Sequence, residues 1–141
     1  MNNYLNLTDI NNRLTVCIEI DPIGTPMVEV LVNNTVQYNS SLLKSEIIND
    51  YIPLLKPFEI SIILSDKHYT DEYETAVIIK KLTIDNIELI PKYDYLASYT
   101  NNHDNTDPTS YLGFNGKWTL TIDRPFYQWL HQATAQGWLL T

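Results

Sequence analysis

The stretch that decides the fold is Tyr111-Leu112-Gly113-Phe114-Asn115-Gly116-Lys117-Trp118-Thr119-Leu120-Thr121-Ile122-Asp123. From Lys117 it alternates, with Trp118, Leu120 and Ile122 on one face and Lys117, Thr119 and Thr121 on the other. A period of two is the mark of a half-buried strand. Asn115-Gly116, between two apolar runs, predicts a tight hairpin. Just downstream, residues 125–136 read as a helix. Asp123 can cap it and Pro125 suits its first turn. Phe126, Trp129, Leu130 and Ala133 form one apolar stripe, and Gly137 is expected to end the helix.

The same period of two recurs upstream. Leu14, Val16, Ile18 and Ile20 share one face, which leaves Cys17 on the other with Thr15 and Glu19. Val28, Val30 and Val32 repeat the pattern, and Asn33-Asn34 turns the chain into residues 35–38. Phe58, Ile60, Ile62 and Leu64 alternate again, and residues 75–84 are rich in β-branched side chains. Asp85-Asn86 reads either as a tight turn or as part of a longer strand through Leu89. Residues 41–55 are ambiguous, because Leu42, Leu43, Glu46, Ile47 and Tyr51 have near-helical spacing that stops at Pro53. Many short strands and few helices predict an all-β, antiparallel, jelly-roll-like β-sandwich with a short C-terminal helix. No repeat or linker divides the 141 residues, so a single domain is expected over 1–141.

Composition narrows the functions. The net charge is −8, and the nine basic residues are scattered except for Lys80-Lys81. A nucleic-acid backbone or an anionic membrane surface calls for a basic patch, and none is visible. No apolar run approaches the roughly 20 residues of a transmembrane helix. Met1-Asn2-Asn3-Tyr4 lacks the pattern of a secretory signal, which predicts a cytosolic origin. The lone Cys17 excludes an intrachain disulfide and reads as a structural thiol.

No reaction centre is legible. His68, His103 and His131 form no ligand pair at helical or hairpin spacing, and no nucleophile elbow or phosphate-binding glycine loop is present. A small hydrolase ranks last among the readings. Residues 65–74 carry Asp66, Asp71, Glu72 and Glu74, oxygen donors of the kind that calcium takes. The competing reading is a solvated connection between strands. Asn101, Asn102, Asp104, Asn105 and Asp107 make a second cluster, more simply read as turn formers. Tyr69, Tyr73, Tyr95 and Tyr99 flank these loops and are the candidate ligand surface. Trp118, Phe126 and Trp129 belong to inward faces, whereas Tyr127 and Trp138 are expected to be exposed and available to an interface.

Two resemblances add to this reading. Phe58-Glu59-Ile60-Ser61-Ile62-Ile63-Leu64-Ser65-Asp66, the acidic loop bearing Tyr69, and Leu82-Thr83-Ile84-Asp85-Asn86-Ile87-Glu88 together resemble the calcium-dependent xylan-binding type of carbohydrate-binding module. Asp66, Tyr69 and Asp85 fall near that family's matching places. The likeness implies a non-catalytic glycan-binding domain with calcium held by Asp66, Asp71, Glu72 and Asp85. The run from Tyr111 to Trp118, with Pro125-Phe126-Tyr127-Gln128-Trp129-Leu130, is similar in style to small β-sandwich proteins of tailed bacteriophages. That likeness implies a virion protein made in the host cytoplasm, with glycan or other virion proteins as partners and a possible homo-oligomer. The alternative within it is a structural or assembly subunit that binds no glycan.

Overall fold

The protein was analysed as a computed structural model, which describes residues 13–68, 73–90, 92–100, 106–107 and 110–139. The alternating segments become strands with their apolar faces buried. β1 (Arg13–Ile23) buries Leu14, Val16, Ile18 and Ile20. β2 (Met27–Val32) buries its three valines and turns at Asn33-Asn34 into β3 (Thr35–Ser41). Both asparagines have positive φ, 50° and 66°, as a two-residue primed turn requires. β4 is Glu46–Pro53, β5 is Phe58–Ser65 and β6 is Ala76–Ile84. Asp85-Asn86 is a second tight turn, φ 52° and 63°, into β7 (Ile87–Ile90). A 3-10 turn (Asp94–Leu96) leads to β8 (Ser98–Thr100). β9 (Thr106–Asp107), β10 (Tyr111–Leu112), β11 (Gly116–Ile122) and helix α1 (Phe126–Leu139) complete the order.

The strands form two antiparallel sheets, an all-β sandwich with one C-terminal helix. One sheet runs β10-β6-β1-β4, with β7 also paired to β6, and the other runs β3-β2-β5-β11-β8-β9. The inward residues of both sheets build one core, with Trp118, Tyr99 and Phe126 its largest fully buried side chains.

The connections give the sandwich two unlike ends. β5 finishes at Ser65 beside Met27, and Gly116 pairs with Leu64, so the 66–75 connection and the start of β11 share one end. At the other end Ile122 pairs with Phe58, Asp85 N–H donates to Thr15 O, and α1 begins. There Phe126 and Trp129 stack with centroids 6.2 Å apart and close the core. The first is the loop end and the second the helix end.

One ambiguity is settled and two local expectations are corrected. Residues 46–53, ambiguous in the sequence, are a strand paired with β1 along its whole length. Asn115-Gly116 makes no hairpin, because β10 pairs with β6 in one sheet and β11 with β5 and β8 in the other. Gly116 is needed for close approach instead: a Cβ there would lie 2.6 Å from Thr100 O. Gly137 does not end α1, which continues to Leu139, so Trp138 is helical. The Trp138 side chain lies outside the described residues, and with it the interface expected there.

Candidate functional site

The loop end holds the polar constellation with the most structure. Asp66 leaves β5 with φ 61°, a left-handed conformation that bends the chain sharply away from the sheet. The next residue is then held from three sides. Lys67 N–H donates to Asn115 Oδ1 at 2.9 Å, and Asn115 Nδ2 donates back to Lys67 O at 3.0 Å. The amide thus pairs with Lys67 as one strand residue pairs with another. The Lys67 ammonium, nearly buried, donates to Gly113 O and to Glu74 Oε1, each at 2.5 Å. Both ends of the 66–75 connection are therefore fastened to the β10–β11 link. The hydrogen bond and the charge of Lys67 hold the Glu74 carboxyl below its ordinary value.

Beside this clamp is an open cleft of about 400 Å³ lined by Ser65, Asp66, Thr100, Asn115, Gly116 and Lys117. It offers the Asp66 carboxylate and two hydroxyls, those of Ser65 and Thr100. Lys117 lines it too, but its ammonium lies 3.9 Å from Glu59, which draws it along the sheet towards the helix end. The Tyr73 ring stands almost fully exposed on the clamped connection. Directional polar groups around a concave surface fix the orientation of a polar ligand.

The structure sorts the expected site residues. Tyr73 and Tyr95 are exposed, though Tyr95 sits in the 3-10 turn between β7 and β8, where it makes an edge contact with Tyr93. Tyr99 is corrected from ligand surface to core. It is 0% exposed, stacked on Phe114 at 4.2 Å, and donates its hydroxyl proton to Phe114 O. The alternation of β8 turns it inward, whatever the polarity of the loop that follows. Tyr69, Asp71 and Glu72 lie outside the described residues, as do His103 and residues 101–105.

The calcium set is not one site. Asp66 is at the loop end, and Asp85 follows the last residue of β6 at the helix end. Nine residues of strand separate the ends, about 30 Å at the usual rise. Ligands to one ion lie about 2.3–2.6 Å from it, so Asp66 and Asp85 cannot share one. Among the described residues no three of His, Cys, Asp and Glu converge on a metal position. Asp85 instead accepts the hydroxyl proton of Tyr127, the residue expected at an interface. That hydrogen bond to a carboxylate raises the Tyr127 phenol above its ordinary value, with burial adding to the effect.

Sequence reasoning missed Lys67, Asn115, Lys117 and Thr100. Their types are common on any surface, and only the pairing of β5, β11 and β8 brings them together.

No family model matches the chain, and no curated protein does. Among solved structures it is similar to vCBM60, a calcium-dependent carbohydrate-binding module, in its selenomethionine form. The TM-score is 0.55 at 12% identity, over 77% of this chain and 91% of that one. It is similar also to vCBM60 in complex with galactobiose, with a TM-score of 0.53 at 12% identity, over 76% and 97% of the two chains. At this identity the shared property is the fold.

Proposed function

We propose that the chain is a non-catalytic carbohydrate-binding domain that takes its sugar at the loop end of the sandwich. What carries the reading is the match to a carbohydrate-binding module over nine-tenths of that module's length. The chemistry of the cleft supports it. Asp66, Ser65 and Thr100 can bond the hydroxyls of a pyranose. The similar module is calcium-dependent. If this chain takes an ion too, our reading assigns it to the loop carrying Asp66, Asp71 and Glu72 and leaves out Asp85, which belongs to the other end of the sandwich. The virion setting, and assembly through Tyr127 and Trp138, rest on the sequence pattern alone.

The test is a glycan array probed with the purified protein in calcium and in chelator, followed by calorimetry with the best ligand, galactobiose and xylo-oligosaccharides. Binding is expected, and Asp66→Ala is expected to weaken it by about tenfold or more, which is about 1.4 kcal/mol. Asp85→Ala is expected to leave affinity and any calcium dependence unchanged. A blank array in calcium, with the protein shown to be folded, would overturn the proposal.

A further inference from the structure

We propose that β4 pairs edge to edge, antiparallel, with β4 of a second copy of this chain, in a register centred on Asn49. Nothing in this depends on the carbohydrate reading, and the surface lies on a different edge from the cleft at Asp66. β4 is the last strand of its sheet, and among the described residues β1 alone pairs with it, in unbroken register from Glu46 to Pro53. The outer side of an edge strand carries alternate N–H and C=O groups that can receive another strand. Folded proteins guard such edges with bulges, lysines, prolines or short length. β3, the edge of the other sheet, ends in polar Asn39, Ser40 and Ser41 and lies against an irregular register at Val30/Leu31. β4 has no lysine and no bulge, its proline is the last residue, and its charges are two half-buried carboxylates, Glu46 and Asp50, on the inner-face parity of Ile48 and Ile52.

β4 and its flanks present large apolar side chains instead. Leu43, Ile47, Tyr51 and Leu55 are 59–73% exposed. They are spaced symmetrically about Asn49, which makes the pattern complementary to itself under a two-fold axis. Keeping the outer face continuous across both copies requires a register centred on a residue, because side chains alternate between faces. Two such registers keep seven of the eight strand residues paired, centred on Asn49 and on Asp50. The Asp50 register sets that carboxylate against its own copy, and like charges directly opposite destabilise a pair. The Asn49 register sets Asp50 opposite Ile48, Glu46 opposite Ile52 and Ile47 opposite Tyr51. Just beyond the strand ends it brings Leu43 of one copy towards Leu55 of the other. There a cleft of about 390 Å³ has Tyr51, Pro53 and Leu55 on its apolar side and Arg13, Asp50 and Lys56 on its charged side, and the apolar side is placed to receive the incoming leucine. Each copy uses its β4 edge once, so the assembly closes as a dimer.

Sedimentation velocity of the full chain over a micromolar concentration series tests this. A monomer–dimer equilibrium is expected, shifted to monomer by Ile47→Lys and by Tyr51→Lys with the melting temperature of the monomer unchanged. Cysteine crosslinking tests the register in a Cys17→Ser background, because Cys17 is the β1 neighbour of Asn49. Opposed residues of an antiparallel pair have Cα separations of about 4.5–5.5 Å, within disulfide range. Asn49→Cys should therefore form a covalent dimer on oxidation, and Asp50→Cys should not. A monomer at every concentration, a dimer indifferent to both lysine substitutions, or crosslinking through Asp50→Cys in place of Asn49→Cys would overturn the proposal.

Discussion

Asn115→Ala probes whether the clamp at the loop end is what holds the 66–75 connection. The substitution removes an acceptor from Lys67 N–H and a donor from Lys67 O, two bonds at 2.9 and 3.0 Å. Each neutral hydrogen bond contributes about 0.5–1.5 kcal/mol net, and a partly buried backbone group left unpaired adds a desolvation cost. A loss of about 2–3 kcal/mol follows, or roughly 5–10 °C in melting temperature for a domain of this size. Asn115→Asp is the sharper version. It keeps the acceptor but sets a carboxylate oxygen against Lys67 O, so it should cost at least as much at neutral pH. It should recover in part when acid protonates the new carboxyl and restores a donor. Urea melts measure the stability, and limited trypsin digestion reads the loop, since cleavage after Lys67 becomes possible once the segment is released. Changes within about 0.5 kcal/mol, the range of ordinary surface substitutions, together with unchanged trypsin resistance, would refute the clamp.

Three further outcomes follow from the geometry. The Glu74 carboxyl lies below its ordinary value of 4.5 in the folded state, so its contribution is present above that value and lost as pH falls through the folded one. The stability gap between wild type and Glu74→Gln should therefore close on acidification, and Lys67→Met should abolish the dependence. The Tyr127 phenol lies above its ordinary value of 10.0, so its contribution is present below that pH and lost as pH rises through the folded value. A phenolate absorbance titration should show a late component that Asp85→Asn brings back towards 10.0, and Tyr127→Phe should cost about 1 kcal/mol or less, the bond being exposed. Trp129→Ala empties a nearly buried position stacked on Phe126 and should destabilise the domain by about 3–5 kcal/mol in a denaturant melt.

The sandwich was legible wherever one face of a strand is buried and the other wet. Leu14, Val16, Ile18 and Ile20 announce β1, and Trp118, Leu120 and Ile122 announce β11, because alternation is the direct image of the pleat. The pattern was ambiguous at β4 for a physical reason. That edge strand carries apolar residues on both faces, Ile48 and Ile52 inward and Ile47 and Tyr51 outward, and the combined spacing imitates a helix. Asn115-Gly116 misled because a hairpin signal presumes that its flanking segments pair with each other, and here they enter different sheets. Tyr99 looked like loop margin until the parity of β8 turned it inward. The candidate site was less legible than the fold. Sequence singled out Asp66 and Tyr73, but the cleft beside Asp66 is completed by Thr100 of β8 and by Gly116 and Lys117 of β11, and no local signal marks residues that meet only through sheet order. Asp66 and Asp85 looked like one site because the strand between them is invisible as a distance until it is known to run straight.

The tie between Lys67 and Asn115 also has a history within each folding event. It fastens together two connections that both cross between the sheets, β5 to β6 and β10 to β11. Neither crossing has its final path until the sheets have docked, and contacts so distant in sequence form only after their loop-closure entropy has been met. The cleft at Asp66 should therefore be among the last features to appear on refolding, with φ-values near zero at Lys67 and Asn115. A chain with both sheets formed but not yet packed would have every strand and no cleft. Ligand binding, followed in time after a denaturant jump, would then report the final act of assembly rather than the formation of secondary structure.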